Sequence, residues 1–191
     1  MLEMASKNML DDIKAVLYSE EQIKDIIKKM GAQITEDYKD KNLLLVSILK
    51  GSVAIMADLM REIKLPAEID FMAVSSYGSG TKTSGTVKII KDLDYDIAGY
   101  DVLIVEDILD SGKTLSYLIE ILAARNPNSI RICTMFDKPH RREVKEIVAD
   151  YAGGLVPDEF IVGYGLDYDQ KYRNLPFVGI LKEEVYSVKS E

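Results

Sequence analysis

Val102-Leu103-Ile104-Val105-Glu106-Asp107-Ile108-Leu109-Asp110-Ser111-Gly112-Lys113-Thr114-Leu115 is the stretch that decides the fold. Four consecutive apolar residues suit a strand buried on both faces, as in a parallel sheet covered by helices. Two adjacent carboxylates, Glu106 and Asp107, stand at its carboxyl end, and a turn of Asp110, Ser111 and Gly112 leads into a helix from Lys113. The amides of that turn and of the first helical residues, backed by the positive end of the helix dipole, form a concavity for an anion. The hydroxyls of Ser111 and Thr114 add donors, so a phosphate monoester fits there. Glu106 and Asp107 repel each other unless a divalent cation or the hydroxyls of a sugar compensate them. Magnesium commonly binds through one or two carboxylates plus substrate oxygens. A phosphate cradle beside a diol-and-metal pair describes a site for ribose 5-phosphate.

Upstream of this corner, Ser19 and Gln22 read as a capping box that opens a helix carrying Ile23, Ile26, Ile27, Met30 and Ile34 at helical spacing. Leu43 to Leu49 is a buried strand, Ser52 to Ile63 an amphipathic helix, and Ile69 to Ser76 the next strand. Tyr77 to Gly85, rich in Gly, Ser and Thr, reads as a loop, after which Thr86 to Ile90 resumes a strand. Downstream, Lys113 to Ala124 is a helix and Ile130 to Phe136 a strand. This alternation predicts an α/β fold, a mainly parallel sheet with helices on both faces. Phe160 to Val162 and Phe177 to Leu181 read as short strands amid irregular segments. The expected organisation is one domain over residues 1–191, with a core at roughly 36–150. A small hood, built from the N-terminal residues and roughly 151–191, caps the carboxyl ends of the strands, where open sheets bind ligands.

The 191-residue chain has a net charge of -8 and a pI near 4.8. Such a surface repels nucleic acid and anionic membranes, although a local cluster of amides, lysines and metal ions still holds a small anion. No stretch approaches the roughly 20 apolar residues of a membrane span. The N-terminus lacks the basic start and apolar run of a signal peptide. The one cysteine, Cys133, sits in the apolar run Ile130 to Phe136, so a cytoplasmic setting is expected. Gly112-Lys113-Thr114 is not the end of a nucleotide phosphate loop, because position 107, where that motif needs glycine, is Asp. Asp92, Asp94 and Asp96 are not a calcium loop, since Ile97 replaces its glycine and Leu103 its glutamate.

The corner from Val102 to Thr114 resembles the fingerprint of the type I phosphoribosyltransferases: an apolar strand, two acids, two further residues, then Asp-Ser-Gly and Thr. Further segments resemble the hypoxanthine-guanine phosphoribosyltransferases in matching order along most of the chain. The resemblance implies a small hood lobe and magnesium, held by Glu106, Asp107 and Asp167. It implies phosphoribosyl pyrophosphate and a 6-oxopurine as substrates and a homodimer or homotetramer as the assembly. It assigns pyrophosphate to Lys50 and Gly51, in a loop whose Leu49-Lys50 bond can be cis, to Ser76 and Tyr77 in a mobile lid, and to Arg173. It assigns the ribose and its 5′-phosphate to Glu106, Asp107, Asp110, Ser111, Gly112, Lys113 and Thr114. By the same resemblance Lys138 would face the exocyclic oxygen of the purine, Phe160 would stack on it and Ile161 would offer backbone hydrogen bonds. Asp110 is the expected general base, and His140 has no role. Rival readings are a nucleic-acid-binding regulator on this fold, which predicts a basic face, and a sister enzyme for xanthine, adenine or a pyrimidine.

Overall fold

The structure, a computed structural model, describes residues 8–76 and 87–187. Its centre is a six-stranded sheet built from β2 (Leu43–Leu49), β3 (Glu68–Ser76), β4 (Val87–Lys91), β5 (Asp101–Leu109), β6 (Ser129–Asp137) and β7 (Tyr151–Leu155). The spatial order is β4-β3-β2-β5-β6-β7; only the β3–β4 pair is antiparallel. The apolar runs occupy its middle: Leu43 to Ile48 and Asp101 to Glu106 are buried throughout.

Helices α1 (Glu20–Asp37) and α2 (Val53–Glu62) cover one face with Ile23, Ile27, Ile34, Ile55 and Leu59. Helix α3 (Lys113–Ala123) covers the other with Leu115, Leu118 and Leu122. The capping box is formed: Ser19 Oγ accepts from the amide of Gln22, whose side chain accepts from the amide of Ser19. Because α2 leads from β2 towards β3 and α3 leads from β5 towards β6, the two connections diverge. They leave a crevice at the carboxyl ends of β2 and β5, where an open sheet of this kind binds ligands.

A second, three-stranded antiparallel sheet stands beside the first: β1 (Ile13–Tyr18), β9 (Val178–Leu181) and β8 (Ile161–Val162), in the order β1-β9-β8. A short helix, α4 (Glu183–Tyr186), follows β9. Tyr151–Leu155 pairs with β6 as the last strand of the large sheet. Two glycines hide this strand in the sequence. A Cβ on Gly153 would lie 2.5 Å from Met135 O and one on Gly154 2.4 Å from Tyr18 Oη, so the close approach of β6 and β1 excludes side chains there. Among the described residues no helix is long and apolar enough to cross a membrane.

Candidate active site

The crevice is made where β5 outlasts one neighbour. β2 pairs with β5 only as far as Val105, whereas β6 continues alongside to Leu109. Glu106 and Asp107 therefore lie inside the strand and not after its end, on the stretch where β5 has lost its partner on the β2 side. From here the chain turns through Asp110, Ser111 and Gly112 into α3; Gly112, the N-cap, has φ +82°, a conformation glycine adopts without strain. A cleft of about 160 Å³ is lined by Glu106, Asp107, Asp110, Ser111, Gly112 and Thr114, among others. Lys113 is the exception in this segment: its ammonium pairs with Glu143 at 2.5 Å, and its amide donates to Ser111 Oγ at 3.4 Å.

Two backbone segments meet over Asp107. The Leu49-Lys50 peptide bond is cis. A Cβ on Gly51 would lie 1.7 Å from Asp107 Oδ2, and a Cβ on Gly165 would lie 1.9 Å from Gly51 O. Around this stack Arg173 donates to Gly165 O at 2.7 Å and pairs with Asp167 at 2.7 Å. Gln170 accepts from Arg173 at 3.2 Å and from Lys50 Nζ at 3.3 Å. Lys50, Gly51, Asp167 and Arg173, far apart in sequence, are thus brought together. Gln170 ties them, and nothing in its local sequence announces that role. Ser76 ends β3, but its side chain and the whole of Tyr77 lie outside the described residues.

Burial pushes the Glu106 carboxyl well above the ordinary carboxylate range, and the Asp107 charge raises it further, against the pull of the Asp107 amide. Burial also raises Asp107 from 3.8 to about 6; the amides of Ile108 and of Asp107 itself and the Arg173 charge oppose the rise, and Asp167 adds to it. Both folded-state pKa values are raised, so the stability these groups contribute is full below their unfolded pKa values and is lost as pH rises. For Asp107 that window runs from 3.8 to about 6. At neutral pH both groups therefore detract from the stability of the unliganded protein, through a buried charge or through a proton that the unfolded chain would release. Glu106→Gln is expected to raise its melting temperature at pH 7 by a few degrees, at roughly 2–4 °C per kcal/mol for a chain of this size. The gain should shrink at pH 4. Calorimetry without divalent cations checks this; an unchanged or lower melting temperature at pH 7 would show that the chain itself compensates the charge.

Such carboxylates, buried without full compensation, suit magnesium, which takes one or two of them and completes its octahedron with water and phosphate oxygens. Among the described residues no group of three or more His, Cys, Asp or Glu side chains forms a cage of its own.

A larger cleft of about 470 Å³ adjoins the turn and is lined by Asp107, Asp110, Lys138, Phe160, Ile161 and Asp167, among others. Lys138 Nζ donates to Glu159 O at 2.9 Å and lies 3.4 Å from Asp158, which also accepts from Arg141 at 2.7 Å. The lysine is buried, but its end borders the cleft. Phe160 is half-exposed, stacked on Tyr186 of α4 at 4.9 Å and edge-on to Tyr168 at 5.6 Å. Ile161, the first residue of β8, pairs with Ile180. Asp158, Glu159, Arg141 and Tyr186 are lining residues that reading the sequence missed; only their spatial neighbours identify them. Asp107 and, in the turn, Asp110 border both clefts.

Comparison with known proteins agrees with this geometry. Residues 16–169 match the family model described as a phosphoribosyl transferase domain. A hypoxanthine-guanine phosphoribosyltransferase of Streptococcus pyogenes is 57% identical over 92% of this chain and 97% of its own length. One from Streptococcus mutans is 58% identical over the same shares. The crystal structure of a hypoxanthine phosphoribosyltransferase from Staphylococcus aureus superposes with a TM-score of 0.91 at 53% identity, covering 97% of this chain and 100% of that one. The chain belongs to the phosphoribosyltransferase family, among the hypoxanthine-guanine phosphoribosyltransferases.

Proposed function

We propose that this chain serves purine salvage by transferring the phosphoribosyl group of phosphoribosyl pyrophosphate to N9 of hypoxanthine, and of guanine. The products are the nucleoside 5′-monophosphates IMP and GMP, with pyrophosphate. The observation that carries the reading is the pair of adjoining clefts: an amide-lined cradle sized for one phosphate, opening beside a space bounded by Lys138, Phe160 and Asp167, with Asp110 on the border of both.

In this reading the amides of the turn and the hydroxyls of Ser111 and Thr114 hold the 5′-phosphate. Glu106 and Asp107 hold the ribose hydroxyls. Lys50, Arg173 and the amides of the Gly51 loop take the pyrophosphate; the planar guanidinium suits paired phosphate oxygens. Ser76 and Tyr77 would add hydroxyl donors to it. Phe160 stacks on the purine and the Ile161 backbone bonds its edge. Lys138, a donor only, favours a 6-oxo acceptor and opposes the amino group of adenine. The bond from C1 of the ribose to pyrophosphate breaks, positive charge develops on the ring as in glycoside cleavage, and N9 closes on C1. Asp110 takes the proton that leaves the imidazole ring at N7.

The residues fit magnesium at Glu106 and Asp107, and through water at Asp167; bound with substrate it would neutralise the leaving pyrophosphate. A cytoplasmic setting accords with Cys133, whose thiol is buried in the core and pushed up by burial. The assembly expected of this reading is a homodimer or homotetramer.

The test is a panel of bases with phosphoribosyl pyrophosphate and magnesium, followed by nucleotide absorbance. Hypoxanthine and guanine are expected to turn over and adenine and uracil not to; turnover of adenine alone would overturn the reading.

A further inference from the structure

The phosphate turn is held from behind by the segment 138–144, which follows β6 and begins with Lys138. Leu109 O accepts from Arg142 Nη2 at 3.1 Å and from the amide of Lys138 at 3.0 Å. Asp110 O accepts from Arg142 Nε at 2.8 Å. Ser111 O accepts from the amides of Glu143 at 3.0 Å and Val144 at 3.1 Å. Three consecutive carbonyls are thus drawn to the same segment. In a planar trans peptide the C=O and the following N–H point in opposite directions. Each carbonyl drawn back therefore turns the next amide forward: those of Asp110, Ser111 and Gly112. None of the three has an acceptor among the described residues, and their residues line the smaller cleft.

Arg142 is the hub of this arrangement. Its Nη1 donates to Ile147 O at 2.5 Å and its Nη2 pairs with Asp137. The guanidinium thereby binds one side chain and three carbonyls while its side chain stays only 11% exposed. Its stem limits the turn from the same side, since a Cβ on Gly112 would lie 3.2 Å from Arg142 Cδ.

We infer that Arg142 is a positioning residue for the 5′-phosphate: it fixes the direction of the turn's amides by holding the preceding carbonyls, without touching substrate. The inference rests on the phosphoribosyl-transfer reading. A lysine keeps the charge but cannot replace a planar fork that reaches four acceptors at once.

The experiment compares wild type, Arg142→Lys and Asp137→Asn by steady-state kinetics in both substrates and by IMP titration. Arg142→Lys is expected to raise the KM for phosphoribosyl pyrophosphate and the Kd for IMP by roughly 10–100-fold, as a sub-ångström loosening of binding groups does. The KM for hypoxanthine should stay within about 3-fold of wild type. Asp137→Asn, isosteric and lacking only the charge on Nη2, should show the same split at smaller size. Equal shifts in both substrates, or an unmoved KM for phosphoribosyl pyrophosphate, would overturn the assignment. If Arg142→Lys loses cooperative melting, the presence or absence of the split in Asp137→Asn decides. A wild-type protein that neither turns over nor binds IMP would instead refute the reading on which the inference stands.

Discussion

Asp110→Asn is expected to lower turnover by about 10²–10⁴-fold, the usual worth of a positioned general base, with little change in the binding of phosphoribosyl pyrophosphate. The side chain is exposed and borders both the smaller and the larger cleft; in the proposed reading the purine ring that bonds to C1 lies in the larger one. Asparagine keeps its shape but accepts no proton. The main chain at this position belongs to the cradle and is retained, so the phosphate contacts survive. Loss in kcat with a steady KM for phosphoribosyl pyrophosphate is the signature of an interaction made in the transition state. A variant with near-normal turnover would remove Asp110 from the mechanism.

Gly165→Ala is the second change with a large expected effect, and it reaches the site through backbone alone. Gly165 has φ +97°, and a Cβ there would lie 1.9 Å from Gly51 O, while Gly51 itself sits too close to Asp107 to carry a Cβ. The backbone conformation costs a non-glycine residue roughly 1–3 kcal/mol, and forcing the extra methyl into packed structure costs roughly another 1–3 kcal/mol. The clash displaces the Gly51 loop relative to Asp107, and a displacement near 1 Å costs activity on the order of 10²-fold. Gly99→Ala is the control: φ there is +82°, yet nothing lies within 4 Å of the added Cβ. It should lower the melting temperature slightly and leave kcat/KM intact. Equal activity losses in the two variants would show that strain, and not the contact with Gly51, governs Gly165.

Much of the scaffold is legible in the sequence because its signals are local. The runs Leu43 to Leu49 and Val102 to Val105 read as buried strands, and the Ser19–Gln22 box marks the start of α1. What escaped is non-local. β1 reads poorly as a strand because Lys14, Ala15 and Val16 are all exposed, and its partner β9 lies some 160 positions along the chain, from Ile13↔Leu181 to Tyr18↔Val178. β7 carries two glycines, normally a breaker, because its neighbours leave no space for side chains. β5 runs on to Leu109 because β6 stays alongside it, which a count of apolar residues ending at Val105 does not reveal.

The same division runs through the site. Residues 106–114 carry their chemistry in order along the chain, since a strand, two acids and a turn into a helix place carboxylates and free amides side by side by local geometry alone. Sequence therefore determined the strand-turn-helix corner at 102–114 and, with it, the α/β class. Tertiary structure alone decided that Gly51 and Gly165 pack over Asp107, that Gln170 links Lys50 to Arg173, and that Arg142 holds the carbonyls behind the turn. Those contacts join segments tens to more than a hundred residues apart, and their specificity lies in ångström-scale approach between backbones, which no single stretch of residues encodes.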